Sequence, residues 1–253
     1  MKTRKTVLLT LGIALTVLTA AQTLAQSAFT ATYDFAQVTT GSGTTDPTPP
    51  PIVAGLTFGS FTSTGASANP NASSRFSFTS QPLGGVASSD DFSQFTGSLN
   101  VAAYFEVSIT PLSSIELQLD TIAFTVQRSG TGIRSYAVRS SVDGFGANLA
   151  ASINPANANL GVGPGNEFRV LLDSVSTAQN GSLVTLGLPH SSLTTPVTFR
   201  FYGWNAEAGT GTFSVDNVAF SGSTRGSVPE PATATLLTLG LALGIYQRRR
   251  LRK

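Results

Sequence analysis

Residues 104–126, YFEVSITPLSSIELQLDTIAFTV, carry two strands and the break between them. Phe105, Val107 and Ile109 alternate with Tyr104, Glu106, Ser108 and Thr110. That period of two puts one set of side chains on each face of a pleated strand. Pro111-Leu-Ser-Ser114 interrupts the run. Beyond it Ile115, Leu117 and Leu119 hold odd positions, whereas Ile122, Phe124 and Val126 hold even ones. A shift of one residue would turn the apolar set to solvent, so the slip at Asp120-Thr121 predicts a β-bulge or a strand break.

The same period recurs on both sides of this stretch, at Phe76 and Phe78, Tyr136 and Val138, Phe168, Val170 and Leu172, and Val197, Phe199 and Phe201. Near the end Phe213 and Val215 give way to Val218 and Phe220 across Asp216-Asn217, a second predicted bulge. No window between the termini carries a helical stripe, and no internal repeat points to a solenoid or propeller. The expectation is an all-β, two-sheet, jelly-roll-like sandwich over residues 27–221, with roughly eight to eleven strands. Arg128-Ser-Gly-Thr-Gly132 reads as a tight turn between strands 122–128 and 133–142, and residues 205–212 as a hairpin onto the last strand. The proline-rich stretch 37–51 cannot pair in a central strand and reads as a mobile loop. Residues 222–227 read as a flexible spacer.

Charge divides the chain sharply. Of its 15 cationic side chains, eight lie at the ends: Lys2, Arg4, Lys5, Arg248, Arg249, Arg250, Arg252 and Lys253. Between residues 26 and 227 seven arginines stand against twelve acids, a net charge of −5. This body lacks the clustered basic stripe on which nucleic-acid binding depends, so that partner is excluded. With no cysteine, a disulfide framework, a thiolate nucleophile and a cysteine metal site are excluded as well.

Each end has the form of a targeting segment. Three positive charges precede the apolar run Val7 to Leu18, and Thr23-Leu24-Ala25 and Ala25-Gln26-Ser27 offer small residues for a peptidase. Residues 1–26 therefore read as a signal peptide with an apolar helix, handled by the Sec machinery and signal peptidase. The alternative, an uncleaved anchor, needs about 20 apolar residues and the run is shorter. At the other end Val228-Pro229-Glu230-Pro231 precedes the apolar segment Ala232 to Tyr246 and then Arg248, Arg249 and Arg250. A helix over 232–246 would be about 22 Å long at ~1.5 Å per residue, enough to cross a bilayer only with its arginines reaching for the far interface. The basic cluster would anchor that end in the cytoplasm and leave the ectodomain outside.

This VPEP, apolar helix and arginine-rich end together resemble the PEP-CTERM sorting signal. The resemblance covers about the last 26 residues, 228–253. It implies recognition by a membrane-embedded exosortase, with Val228, Pro229, Glu230 and Pro231 as substrate residues, and delivery to the cell envelope, surface or extracellular matrix. The expected role is then structural or adhesive within a polysaccharide matrix, without catalysis. The closing segment, a Trp-containing strand, a glycine hairpin and then FSVDNVAF, resembles the end of sandwich domains found with this tail. Some of those look like carbohydrate-binding modules, which is the alternative reading.

Within the ectodomain the reactive groups are sparse. A Ser-His-Asp triad would have to be built on His190, the single histidine, and one histidine cannot supply a zinc site. Asp90-Asp91, Glu106 and Glu116 are the carboxylates available for glycoside hydrolysis, although the strand pattern turns both glutamates outward. Neither catalytic nor metal residues are assigned. A bulge at Asp216-Asn217, with Asp34 beside it if the chain ends pair, would gather oxygens fit for a structural Ca²⁺. Arg200, Tyr202 and Trp204 share one strand face, which would be a glycan platform if open and ordinary packing if covered.

Overall fold

The computed structural model describes residues 26–68 and 72–226. The expected signal helix, the sorting motif Val228 to Pro231, the apolar helix 232–246 and Arg248 to Arg250 lie outside them. Among the described residues no helix is long and apolar enough to cross a membrane.

Among the described residues fourteen strands, numbered along the chain, form two antiparallel sheets of seven. The first contains β1 (Ser27–Tyr33), β4 (Ser67–Ala68), β5 (Phe76–Thr79), β7 (Ile115–Gln127), β9 (Ala150–Ile153), β12 (Gln179–Thr185) and β14 (Phe213–Gly226). Its order is β4-β5-β14-β7-β12-β9, with β1 also paired to β14. The second contains β2 (Leu56–Phe58), β3 (Thr62–Thr64), β6 (Tyr104–Pro111), β8 (Ser135–Ser140), β10 (Leu160–Gly163), β11 (Glu167–Val170) and β13 (Val197–Trp204). Its order is β10-β11-β8-β13-β6-β2, with β3 also on β6. The count exceeds the expected eight to eleven because several short edge strands, such as β4, are too brief to show a period.

Alternation in sequence becomes burial. In β6 every second residue is buried, Phe105, Val107 and Ile109 among them. With Leu117, Ile122, Phe124 and Val126 from β7, and Val197, Phe199 and Phe201 from β13, they fill the space between the sheets. Leu172 departs from the pattern: β11 ends at Val170 and Leu172 is 41% exposed.

Both predicted slips are bulges. Ser221 pairs with Thr121 and the next residue, Gly222, with Leu119, so Asp120 is the extra residue in β7. Asp216 pairs with Thr125 and Ala219 with Ala123, which leaves one extra residue in β14, where Asn217 has φ 49°. Asn tolerates that left-handed conformation better than branched residues do.

Connections were the part misjudged from sequence. From β6 onward the chain changes sheet at nearly every step, so residues 128–132 and 205–212 close no hairpins; each carries the chain across the edge of the sandwich. Glycines suit either kind of turn, and local sequence does not say which sheet receives the next strand. The expected spacer 222–227 is likewise corrected, since β14 runs on through Gly226, paired with Ile115. Serines and glycine at its end resemble a linker because both neighbours supply backbone hydrogen bonds and little side-chain packing is needed. Residues 37–51 are irregular, as their prolines require, but docked. Asp46 N donates to Phe61 O at 2.8 Å and Ser63 N to Thr44 O at 2.8 Å.

Candidate functional site

At one edge of the sandwich, where the 128–132 and 205–212 crossings meet, two arginines are buried. Arg128 Nη1 donates to Asp173 O at 2.8 Å, and its Nη2 bonds Gly130 O and the Glu207 carboxyl. Arg134 lies beside Phe92 and Phe95, with its guanidinium carbon 5.3 and 5.2 Å from their ring centroids. Asp173 accepts from both arginines at 3.4 Å, while Asp90 bonds Arg134 at 3.2 Å. Sequence reasoning missed this group. Its signal was RSGTGIR, two arginines flanking glycines in a body poor in cations.

Glu207 and Asp173 share this charge and separate in behaviour. Burial, and then the hydrogen bond with Asp173, push Glu207 up to about 7 against the pull of Arg128. Burial also acts to raise Asp173, but the bonds from Glu207 and Ser88 N and the two arginine charges outweigh it and hold it below the usual carboxylate range. The folded chain therefore binds the Glu207 proton more tightly than the unfolded chain does. The stability this contributes is complete below about 4.5 and is lost as pH rises through about 7. His190, whose imidazole burial pushes below its ordinary value, acts in the opposite sense, so a difference measurement is required. The unfolding free energy of the parent chain relative to Glu207→Gln should decline across that window in urea titrations. A pH-independent difference would reject the assignment.

The chain ends pair, which brings Asp34 next to the Asp216-Asn217 bulge, but among the described residues no three His, Asp or Glu side chains are grouped so as to hold a metal ion. Tyr33 pairs with Val218, which sets Asp34 one step further, against the β14 bulge. Asp216 Oδ1 accepts from Asn217 N at 2.7 Å. Asp46, in the 37–51 loop, bonds Thr48 N and Phe61 O and feels the Asp34 charge. Burial raises the carboxyls of Asp46 and Asp216, and the Asp34 charge adds to both. Arg75 works against the rise at Asp216.

The Arg200, Tyr202, Trp204 face is covered. Tyr202 and Trp204 are 1% and 5% exposed and pack with Ala137, Leu99 and Tyr104. Arg200 bonds Glu106 at 2.6 Å and lies 4.0 Å from the Tyr104 ring centroid. A separate polar pocket of ≈ 260 Å³ opens among Arg75, Gln127, Arg128, Ser129, Ser176 and Thr212.

The other candidate groups are placed apart. His190 Nε2 lies 3.0 Å from Ser140 Oγ with Asp143 near enough to act on its charge. Yet Ser140 is 1% exposed, His190 Nδ1 has no partner, and the Asp143 carboxyl accepts from Gly146 N and Ala147 N. This is a Ser-His contact sealed in the core, out of reach of a substrate. Asp90 pairs with Arg134, Asp91 caps the 92–94 turn, Glu106 pairs with Arg200, and Glu116 with Arg225 and Ser192. Glu106 and Glu116 stand on different sheets.

Comparison with known proteins adds one firm result. Residues 227–250 match the family described as the PEP-CTERM protein-sorting motif. No curated protein matches the chain. Among solved structures, the K3 cleaved adhesin domain of Lys-gingipain from Porphyromonas gingivalis W83 is 16% identical, over 78% of this chain and 99% of that one, at TM-score 0.32. The K1 adhesin domain of the same protein is 15% identical over 76% and 97%, at TM-score 0.32. An arabinose-bound GH51 α-L-arabinofuranosidase is 9% identical over 76% of this chain and 26% of its own, also at 0.32. Likenesses this distant carry no argument about activity. The motif is of another order, because it implies export and processing by an exosortase at the cell surface. From residue 227, next to the last strand of a two-sheet β-sandwich, the chain carries a PEP-CTERM protein-sorting motif.

Proposed function

We propose that this protein is exported through the Sec route, processed by an exosortase at Val228 to Pro231, and displayed in the surface or extracellular matrix with a structural or adhesive role. The observation that carries this is the sorting motif at residues 227–250. The signal peptide 1–26 would start export, the apolar helix 232–246 would hold the chain at the membrane, and Arg248 to Arg250 would keep its end cytoplasmic. β14 supports this arrangement, since it is central in its sheet and ends at Gly226 with no long spacer, so the sandwich would be held close to the membrane until cleavage.

The carbohydrate-binding alternative loses its aromatic platform, because Tyr202 and Trp204 are covered. The 260 Å³ pocket offers hydroxyl, amide and guanidinium groups but no ring for stacking. The matrix reading is therefore preferred.

Intact mass of the mature protein from its native host decides the case, with and without deletion of Pro229 to Pro231. The expected product ends near residue 230, and the deletion abolishes both this cleavage and display in the surface or matrix. A product still ending at Lys253, with unchanged location, would refute the proposal.

A further inference from the structure

The chain holds a single Asp-Pro peptide, Asp46-Pro47, and each side of it is tied down separately. Before it, Asp46 N donates to Phe61 O at 2.8 Å and Ser63 N to Thr44 O at 2.8 Å, which laces this side to residues 61–63. After it, Gln37 N donates to Thr48 Oγ1 at 3.0 Å. Asp46 Oδ1 accepts from Thr48 N at 2.8 Å, two residues on. That Asx turn closes a ring through the Asp46-Pro47 peptide and holds the carboxyl against it. The second oxygen, Oδ2, is buried with no hydrogen-bond partner on a residue 2% exposed, whereas Pro47 is exposed. An ionised oxygen kept from water without a partner is costly, so the neutral acid is favoured. Burial raises the Asp46 carboxyl against two bonds from Thr48, and the Asp34 charge adds to the rise. Tyr33 faces it as well, its phenol pushed up by burial and by the Asp46 charge.

We propose that Asp46 is the nucleophile of a self-cleavage that splits the Asp46-Pro47 bond in the folded chain. The carboxyl attacks its own main-chain carbonyl carbon. An Oδ2–C bond forms and closes a cyclic anhydride, the C–N bond to Pro47 breaks, and the carboxyl proton passes to the Pro47 nitrogen. One water then opens the anhydride, leaving two carboxyls on Asp46 and a free amino terminus at Pro47; nothing is oxidised or reduced. Proline suits the leaving position, because its nitrogen carries no N–H in the chain and departs as a secondary amine. An acid held neutral supplies nucleophile and proton in one group, and the turn has already oriented it. Both new ends stay held, through Phe61 and through Gln37, and β1 stays paired to β14. The product is a nicked sandwich, not a released fragment. This rests on the folded chain alone and stands or falls separately from sorting.

The test incubates the full chain between about pH 4 and 7, above the ordinary aspartate pKa of ~3.9, where circular dichroism shows it folded, and in urea at the same pH. Intact mass follows the products. One species ending at Asp46 and one beginning at Pro47 are expected, their masses summing to the parent plus one water. They should accumulate at least ~10-fold faster in the folded chain than in urea, because only the fold orients the carboxyl. Asp46→Ala should abolish both species. Should that variant not fold, the ratio of folded to urea rates in the parent chain still decides. A folded parent chain that stays intact, or is cut no faster than in urea, would overturn the proposal, as would an Asp46→Ala chain cut at the same bond.

Discussion

Arg134→Ala should destabilise the sandwich by about 3–5 kcal/mol, the cost of breaking a buried ion network by removing one partner. Arg134 is 0% exposed. Its five N–H groups meet Val170 O at 2.9 Å, Ser89 O at 2.7 Å, Leu171 O at 2.9 Å, Asp90 Oδ1 at 3.2 Å and Asp173 Oδ1 at 3.4 Å. Removing the side chain strands three carbonyls and takes from Asp173 one of its two arginines. It also opens the space beside Phe92 and Phe95. Arg134→Lys should recover only part of the loss, because an ammonium has three donors and lacks the planar fork. Urea unfolding followed by fluorescence gives the comparison. A loss under about 1 kcal/mol for Arg134→Ala would mean that water replaces the guanidinium and that the cluster is not structural.

Phe61→Ala should have a comparable effect, about 3–5 kcal/mol, or a Tm lower by on the order of 10 °C. Phe61 lies between β2 and β3, outside any strand, yet it is 0% exposed. Its ring centroid is 4.9 Å from that of Tyr33, 5.2 Å from Phe35, 5.8 Å from Phe76 and 5.6 Å from Phe201. Those rings come from both sheets and from the turn after β1, so truncation leaves a void that neither sheet can close alone. Phe61→Leu should cost less than half as much, since it refills most of the volume. Calorimetry on the two variants reads the difference, and equal losses would show that edge-on ring contacts, not volume, dominate there.

The strands were legible because a pleated strand buries alternate residues, and Phe105, Val107 and Ile109 show this without reference to the rest of the chain. The bulges at Asp120 and Asn217 were legible for the same reason, as a change of phase is a local property. The placing of Asp34 beside the β14 bulge needed one further assumption, that the chain ends pair, which the β1–β14 ladder satisfies. Asp46 was not found, because it stands in a proline-rich stretch that reads as solvated loop and its burial depends on contacts with Phe61 and Thr48. The buried arginines were missed for a similar reason: a guanidinium is ordinarily placed at the surface, and only the meeting of two sheet crossings supplies enough acceptors to bury one.

Sequence alone determined the period-two body, its −5 charge, the absence of cysteine chemistry and the C-terminal sorting motif, all properties of neighbouring residues or of composition. Tertiary structure decided which sheet each strand joins, that residues 128–132 and 205–212 cross between sheets, that 222–226 belong to β14, and that Trp204 and Tyr202 are covered. These depend on contacts between residues far apart along the chain. A glycine turn or an aromatic strand has the same local preferences whichever sheet it meets, and only packing of the two layers selects among them.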